Sequence, residues 1–319
     1  TLKALTYGPT GGIVAAATTS LPEQIGGVRN WDYRYCWLRD ATLTLLAFLR
    51  AGYLDEAHQW RDWLLRAIAG SPEDIQVMYG VAGERRLTEL ELDWLSGYEG
   101  SRPVRIGNGA SSQHQLDVYG EVIDALHLAR VKGLRASDAA WSMTSKIFEW
   151  LESGWLEPDE GIWEVRGPRR HFTHSKVMAW VAFDRAVKAI EKLGRHGPID
   201  RWRQTRDAIK ADVLAKGYNA EVGAFVQFYG SDRLDASLLL IPLVGFLPAK
   251  DERMVGTVEA IQRDLMRDGL VERYRADAGN VEVDGLPPGE GVFLPCSFWL
   301  VAVLARLGRL DEALELYER

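Results

Sequence analysis

Apolar residues recur at helical spacing along most of this 319-residue chain, and the predicted helices are joined alternately by tight turns and long loops. The predicted helices are Tyr35–Arg50, Asp55–Ala69, His114–Val131, Ser137–Glu152, His174–Leu193, Ile199–Lys216, Ala236–Phe246, Glu252–Met266, Val292–Leu307 and Leu310–Arg319. Small strands or hairpins are predicted at Ile75–Tyr79, Arg86–Leu92 and Ala224–Tyr229. The alternation of connections predicts an all-α fold of successive antiparallel helix pairs.

The tight turns contain glycine and echo one another, since Ala51–Ala57 closely matches Leu307–Ala313. Helices before these turns, such as Phe298–Leu304, are more apolar than the striped helices after them, such as Asp55–Leu65. We therefore expect an inner ring of buried helices within an outer amphipathic ring, an (α/α)6 toroid. Both ends of the sequence look like cut helices, which would complete six pairs and leave a fold truncated at both ends.

The rival architecture is an open helical solenoid, because Gly308–Arg319 resembles a tetratricopeptide turn. The tight turns, however, are spaced unevenly, by about 50 to 80 residues, whereas a tetratricopeptide array repeats every 34 or so. Long loops rich in Trp and Gly also suit the rim of an active site better than a scaffold. The sequence favours a closed barrel over residues 1–319 as a single domain.

Charge and cysteine content limit the classes of partner and compartment. The net charge is −7 and no Lys/Arg block is present, which argues against nucleic acid or an acidic membrane as partner. Cys36 and Cys296 cannot form a disulfide framework, so we expect two buried thiols and a reducing, cytoplasmic location. The six His lack the spacing of metal ligands, and His171 and His174 are interpreted as structural. No metal and no cofactor are expected.

One short segment, Asn30–Asp40, holds two Trp, two Tyr, two Arg, two Asp and an Asn immediately before an apolar run. Burying so many polar groups costs free energy unless each finds a hydrogen-bond partner. Aromatic faces beside an Arg/Asp pair suit a sugar ring. The same residues are equally compatible with an interhelical salt bridge in an aromatic core, so composition leaves both interpretations open.

Every long loop precedes an apolar inner helix, so the polar clusters of these loops should meet at one mouth. These clusters lie in Trp31–Asp40, Arg102–Gly109, Glu160–Gly167, Arg273–Arg275 and Pro288–Gly291. Three of their carboxylates, Asp40, Glu164 and Glu290, lie beside aromatics or glycines. Two carboxylates across a pocket are what cleavage of a glycosidic bond requires. A carboxyl at Glu164 beside Trp163 would have its pKa raised by desolvation, as a general acid requires.

Several motifs together resemble glycoside hydrolase family 15, which comprises glucoamylases, glucodextranases, isomaltose glucohydrolases and some bacterial trehalases. They are Trp37-Leu38-Arg39-Asp40, Arg102-Pro103, Gly161-Ile162-Trp163-Glu164, Arg273-Tyr274 and Phe293-Leu294-Pro295-Cys296-Ser297-Phe298-Trp299. The resemblance runs from Leu2 to Arg319 in the same order. It implies an (α/α)6 barrel and an inverting hydrolase that releases β-glucose from non-reducing ends of α-glucans or gluco-oligosaccharides.

The resemblance also implies roles for individual residues. Glu164 matches the general acid, and Tyr33 matches a tyrosine that hydrogen-bonds the catalytic base. The implied substrate contacts are Trp37, Arg39, Asp40, Arg102, Trp163 and Arg273. Among these, Arg39 and Asp40 match the pair that binds hydroxyls of the terminal glucose, and the two Trp match aromatic walls.

The sequence departs from the family pattern in three places. Gly100 stands where fungal glucoamylases have a Trp, which predicts a different second subsite. The Glu-x-Tyr-Asp-type motif of the general base does not follow Glu164, and we expect it beyond Arg319. Glu290 is a candidate base by its chemistry, although it matches a position upstream of that motif. The N-terminal β-sandwich domain of many bacterial relatives is not expected within residues 1–319.

Three functions therefore stand as alternatives. The first is an inverting exo-acting α-glucoside hydrolase of glucoamylase type, with an oligo- or polysaccharide substrate. The second is hydrolysis of α,α-trehalose on the same fold. The third, from another class, is a non-catalytic helical-repeat or carbohydrate-binding remnant.

Overall fold

A computed structural model describes residues 1–134, 138–275, 281–287 and 291–319. Its helices are α1 (Leu38–Ala51), α2 (Leu54–Ala67), α3 (Asp117–Val131), α4 (Asp138–Gly154), α5 (Thr173–Leu193), α6 (Ile199–Lys216), α7 (Leu240–Leu243), α8 (Glu252–Asp264), α9 (Val281–Asp284), α10 (Leu294–Leu307) and α11 (Leu310–Tyr317). The strands are β1 (Thr6–Tyr7), β2 (Gly12–Ile13), β3 (Thr19–Pro22), β4 (Asn30–Asp32), β5 (Cys36–Trp37), β6 (Met78–Tyr79), β7 (Leu90–Glu91), β8 (Arg105–Ile106), β9 (Tyr218–Asn219), β10 (Ala224–Phe225), β11 (Met266–Arg267) and β12 (Leu270–Val271). They pair consecutively into small antiparallel two-stranded ribbons.

Tight turns join the members of helix pairs, as the sequence predicts. Gly52 ends α1 at φ 81° and Gly308 ends α10 at φ 86°, both in the left-handed conformation that favours glycine. In each case the helix that follows starts two residues later. The echo between Ala51–Ala57 and Leu307–Ala313 is therefore the repeated geometry of an antiparallel turn.

Burial separates the helices into an inner and an outer layer. Helix α3 packs between α1 and α5, and α10 packs against α7 and the 3-10 turn Ala236–Leu239 that precedes it. Helix α5 is buried on most of its surface, whereas α6 buries only Trp202, Ile209 and Val213. The apolar inner helices and striped outer helices predicted from the sequence are thus present, and an α/α toroid is the observed architecture.

Differences from the predicted helices have local physical causes, as three segments show. Helix α1 begins at Leu38 and not at Tyr35, because Cys36 and Trp37 pair with Tyr79 and Met78 as a strand. Helix Ala236–Phe246 is a 3-10 turn followed by the short α7, which contains Pro242, a residue without an N–H to donate. The segment predicted as the end of a helix, Thr1–Tyr7, is a 3-10 turn followed by β1.

The first part of the aromatic cluster forms a hairpin, and helix α1 starts within the cluster at Leu38. Strand β4 pairs with β3, and its Trp31 ring contacts two guanidinium groups, with its centroid 4.7 Å from Arg105 and 4.5 Å from Arg166. Both cysteines are buried free thiols, as expected. Among the helices in the described ranges, none has the length and apolar character needed to cross a membrane.

Candidate active site

The first turns of the inner helices carry polar residues that face the same end of the toroid. Helix α1 supplies Arg39 and Asp40, and α3 supplies Asp117, which is fully buried. Strand β5 leads directly into α1. The pairing of β5 with β6 therefore fixes the position of Arg39 in the first turn of α1. Alternation of long loops and inner helices therefore brings these residues to one mouth.

Glu164 lies in the loop between α4 and α5, in a backbone conformation rare for a residue with a side chain. Its φ is 58°, and its N–H donates to the carbonyl of Gly161 at 3.1 Å. The side-chain amide of Gln113 donates to the Glu164 carbonyl at 3.2 Å. A left-handed conformation at a non-glycine residue costs free energy and persists where the surroundings enforce it, often at a functional site.

The Glu164 carboxylate points back to the start of α1. Trp37 Nε1 donates to its Oε1 at 2.6 Å, and Arg39 Nη2 approaches the same oxygen at 3.4 Å. Burial raises the pKa of Glu164, while the Arg39 charge and the Trp37 hydrogen bond oppose that rise. A carboxyl with a raised pKa at the edge of a polar pocket is suited to donate a proton.

Arg39 connects the carboxylates of the pocket. Its Nη1 donates to Gln115 Oε1 at 3.2 Å and lies 3.4 Å from Asp117 Oδ2. Its Nε lies 3.9 Å from Asp40 Oδ2, and Asp40 keeps 40% of its side chain accessible. Gln115 and Asp117 therefore hold the Arg39 guanidinium in place, while the Asp40 carboxylate stays accessible to a ligand. That arrangement can bind adjacent hydroxyl groups.

Aromatic rings border this polar group. The Tyr33 ring centroid lies 6.0 Å from that of Trp37. Burial raises the pKa of the Tyr33 hydroxyl, and the charge of Glu23 raises it further, so the hydroxyl stays protonated and can donate a hydrogen bond. Trp37 and Tyr33 thus form an aromatic wall beside the Glu164 carboxylate.

A second wall forms around Trp163. The Arg273 guanidinium lies 5.6 Å from the Trp163 ring centroid, and the Phe293 ring meets that indole edge-on at 5.8 Å. Arg273 Nη2 also pairs with Glu23 Oε2 at 3.3 Å. The loop between β3 and β4 therefore reaches the site through Glu23.

The sequence profile of the glycosyl hydrolases family 15 matches residues 1–319. The chain belongs to this family. A trehalase of Mycolicibacterium smegmatis is 48% identical over 322 residues, covering 100% of this chain and 48% of that protein. A trehalase of Thermoplasma volcanium is 42% identical over 318 residues, covering 99% of this chain and 50% of that protein. The chain thus spans about half the length of these curated family 15 relatives.

Solved structures agree on the fold. A wild-type glycosidase superposes with a TM-score of 0.75 at 20% identity, covering 98% of this chain and 78% of that one. A glucoamylase from Saccharomycopsis fibuligera superposes with a TM-score of 0.65 at 14% identity, covering 93% and 67%. At these identities the likeness concerns fold alone, and it confirms the (α/α)6 prediction.

One residue predicted for a family 15 site, Arg102, makes no contact with this cluster in the described ranges. Arg102 is exposed, and within the described ranges no hydrogen bond or ion pair connects it to the other predicted residues. Its role as a substrate contact stays a prediction. Glu290, the candidate base, lies outside the described residues, so its role stays a prediction as well.

Sequence reasoning missed several residues of the site, of which Asp117, Glu121, Glu23 and Asp235 bear on the chemistry. Asp117, Glu121 and Asp124 recur at helical spacing on α3, an otherwise apolar inner helix, and that recurrence was an available signal. Burial raises the pKa of Glu121 to about 8, and the nearby Asp117 and Asp124 charges contribute. No comparable sequence signal marks Glu23, because its contact with Arg273 joins residues 250 positions apart.

Proposed function

We propose that this chain supplies the general acid and glucose-binding residues of an inverting hydrolase that cleaves α,α-trehalose. The observation that carries the proposal is the placement of the Glu164 carboxyl. It lies in a constrained loop, accepts a hydrogen bond from Trp37 at 2.6 Å and has a pKa raised by burial. A solvated loop carboxylate would have none of these three properties.

The proposed reaction begins with a terminal glucose in the pocket, held by Arg39 and Asp40 between aromatic walls. Protonated Glu164 donates its proton to the glycosidic oxygen as the bond from C1 to that oxygen breaks. A water molecule attacks C1 from the opposite face and gives its proton to a second carboxylate. Glu290 remains a predicted candidate for that second carboxylate.

The relatives favour trehalose over α-1,4-linked glucans. Trehalase, the alternative in the sequence analysis, is the name of the M. smegmatis and T. volcanium relatives, at 48% and 42% identity. The likeness to the S. fibuligera glucoamylase lies at 14% identity and informs only the fold. We therefore place trehalase ahead of the glucoamylase interpretation.

Proton NMR of the full-length protein with trehalose, maltose and isomaltose tests this proposal. Inversion at one anomeric carbon of α,α-trehalose releases that sugar as β-glucose and leaves its partner as α-glucose. The first products should thus be an equimolar mixture of both anomers, and trehalose should be the preferred substrate.

Other outcomes discriminate between the alternatives. Initial formation of α-glucose alone from trehalose would refute inversion. A clear preference for maltose would favour the glucoamylase interpretation. Binding of glucose without turnover of any of the three sugars would favour a carbohydrate-binding remnant.

A further inference from the structure

Asp235 is a buried carboxylate at the start of the fourth inner helical segment. It is 2% exposed, and its Oδ1 accepts the N–H of Ser237 at 2.8 Å, which caps the 3-10 turn Ala236–Leu239. Its Oδ2 accepts from the amide of Gln227 at 3.1 Å. Capping requires one oxygen acceptor, which Ser or Asn could also supply. The cap alone therefore does not explain why a carboxylate occupies this position.

A further contact of Asp235 is with the indole of Trp163. Nε1 of Trp163 lies 2.9 Å from both carboxylate oxygens. Three N–H donors therefore converge on two oxygens, and burial raises the Asp235 pKa while these hydrogen bonds oppose that rise. An Asn at this position would direct an NH2 group at one of the donors and would have to break at least one of these bonds.

Apart from Asp235, a cation and several aromatic rings border the Trp163 indole in the described residues. Arg273, Phe293 and Trp299 contact the indole through its faces and edges, with Trp299 at a centroid distance of 6.2 Å. The hydrogen bond at Nε1 adds a directional constraint to these contacts, because the N–H···O angle prefers to exceed about 150°. The backbone that follows Trp163 is held by another residue, because the side-chain amide of Gln113 donates to both the Glu164 and Val165 carbonyls.

We propose that Asp235 is a positioning residue that sets the plane of the Trp163 indole, and hence the surface on which the substrate glucose ring stacks. This inference rests on the proposed function, because it takes the Trp163 wall as a sugar-binding surface. Asp235 does not touch the sugar. It acts on sugar affinity through the orientation of Trp163.

A double-mutant cycle between Asp235→Asn and Trp163→Phe tests the inference. Asp235→Asn should raise KM for trehalose and the Kd for glucose by about tenfold, with a much smaller change in kcat. Phe has no N–H for Asp235 to hold. In the Trp163→Phe background, adding Asp235→Asn should therefore leave both constants unchanged, which is a strongly non-additive result.

Asp251→Asn is the matched control, because Asp251 caps α8 by accepting from the N–H of Arg253 in the same way. It reports the cost of a weakened cap, together with loss of the Asp251–Arg253 ion pair, where no Trp partner is involved. It should leave KM and the glucose Kd unchanged. Unfolding midpoints of all variants separate a loss of stability from a loss of affinity.

The inference is overturned if Asp235→Asn changes the glucose Kd equally in the wild-type and Trp163→Phe backgrounds, or lowers only stability. A wild-type protein that does not bind glucose also overturns it. Failure to hydrolyse trehalose would refute the proposed function alone, since the glucose Kd values still complete the cycle.

Discussion

Trp37 and Glu164 are 127 residues apart in the sequence, yet the indole N–H of Trp37 lies 2.6 Å from Glu164 Oε1. This hydrogen bond connects the start of α1 with the loop before α5. It fixes the carboxyl in one rotamer and stabilises its charged form, while burial opposes that charge. The balance sets the pH range over which Glu164 can act as an acid.

Replacing Glu164 by Gln should lower kcat for trehalose by about 10²- to 10⁴-fold, because the amide cannot give a proton to the leaving oxygen. The glucose Kd, measured by titration calorimetry, should change little. Glu157→Gln, at an exposed residue of the preceding loop, is the control and should keep the wild-type rate. Wild-type turnover by the Glu164→Gln variant would remove Glu164 from the catalytic role.

Replacing Trp37 by Phe should move the alkaline limb of the pH profile of kcat/KM to higher pH. The hydrogen bond from Trp37 lowers the Glu164 pKa, so its loss raises that pKa. Activity requires the protonated acid and is lost as pH rises through this pKa, so it should persist further into the alkaline range. Trp94→Phe is the control, since Trp94 is 76% exposed. An unmoved or acid-shifted limb in Trp37→Phe would contradict the assignment.

The fold was largely predictable because helical periodicity is a local signal. Helix α6 has the predicted bounds, Ile199–Lys216, and Gly52 and Gly308 lie in the tight turns that the sequence predicts. The ribbons at β1–β2 and β3–β4 were missed, because strands of two to four residues are too short to show alternation. The length of the helix that contains α7 was overestimated, because the apolar run there continues through Pro242.

The site was predictable only in part, for a related physical reason. Arg39 and Glu164 lie in local motifs of mixed charge and aromatic character, so sequence alone could mark them. Asp235 was missed, because its partner Trp163 lies 72 residues away and is brought close by the toroid. Contacts between loops depend on how the helix pairs close, and periodicity does not report that closure.

Replacing Arg39 by Met should lower the free energy of unfolding by about 3 kcal/mol, because fully buried Asp117 would lose its cationic partner. Urea unfolding checks this value. Adding Asp117→Asn should recover much of the loss, since the neutral amide needs no counter-charge. Arg263→Met breaks the exposed pair with Asp264 and should leave stability unchanged. A double variant as unstable as Arg39→Met would show that the pair is not the source of the effect.

Replacing Glu121 by Gln should stabilise the protein at neutral pH and have little effect in acid. Burial and the charges of Asp117, Asp124 and Asp40 raise the Glu121 pKa from 4.5 to about 8, and the charge of Arg39 opposes this rise. The folded state therefore binds a proton that the unfolded state releases. The contribution of Glu121 to stability is therefore fully present below about pH 4.5 and is lost as pH rises towards about 8, by about 1.4 kcal/mol per pH unit at most.

Glutamine has no charge to bury, so Glu121→Gln should flatten this decrease. Urea unfolding at about pH 5 and about pH 7.5 should show a gain at the higher pH only. Glu149→Gln, on the exposed face of α4, is the control and should keep the wild-type slope. If Glu121→Gln has the same pH slope as the wild type, then Glu121 is already ionised at neutral pH and the interior of the toroid is more hydrated than its burial indicates.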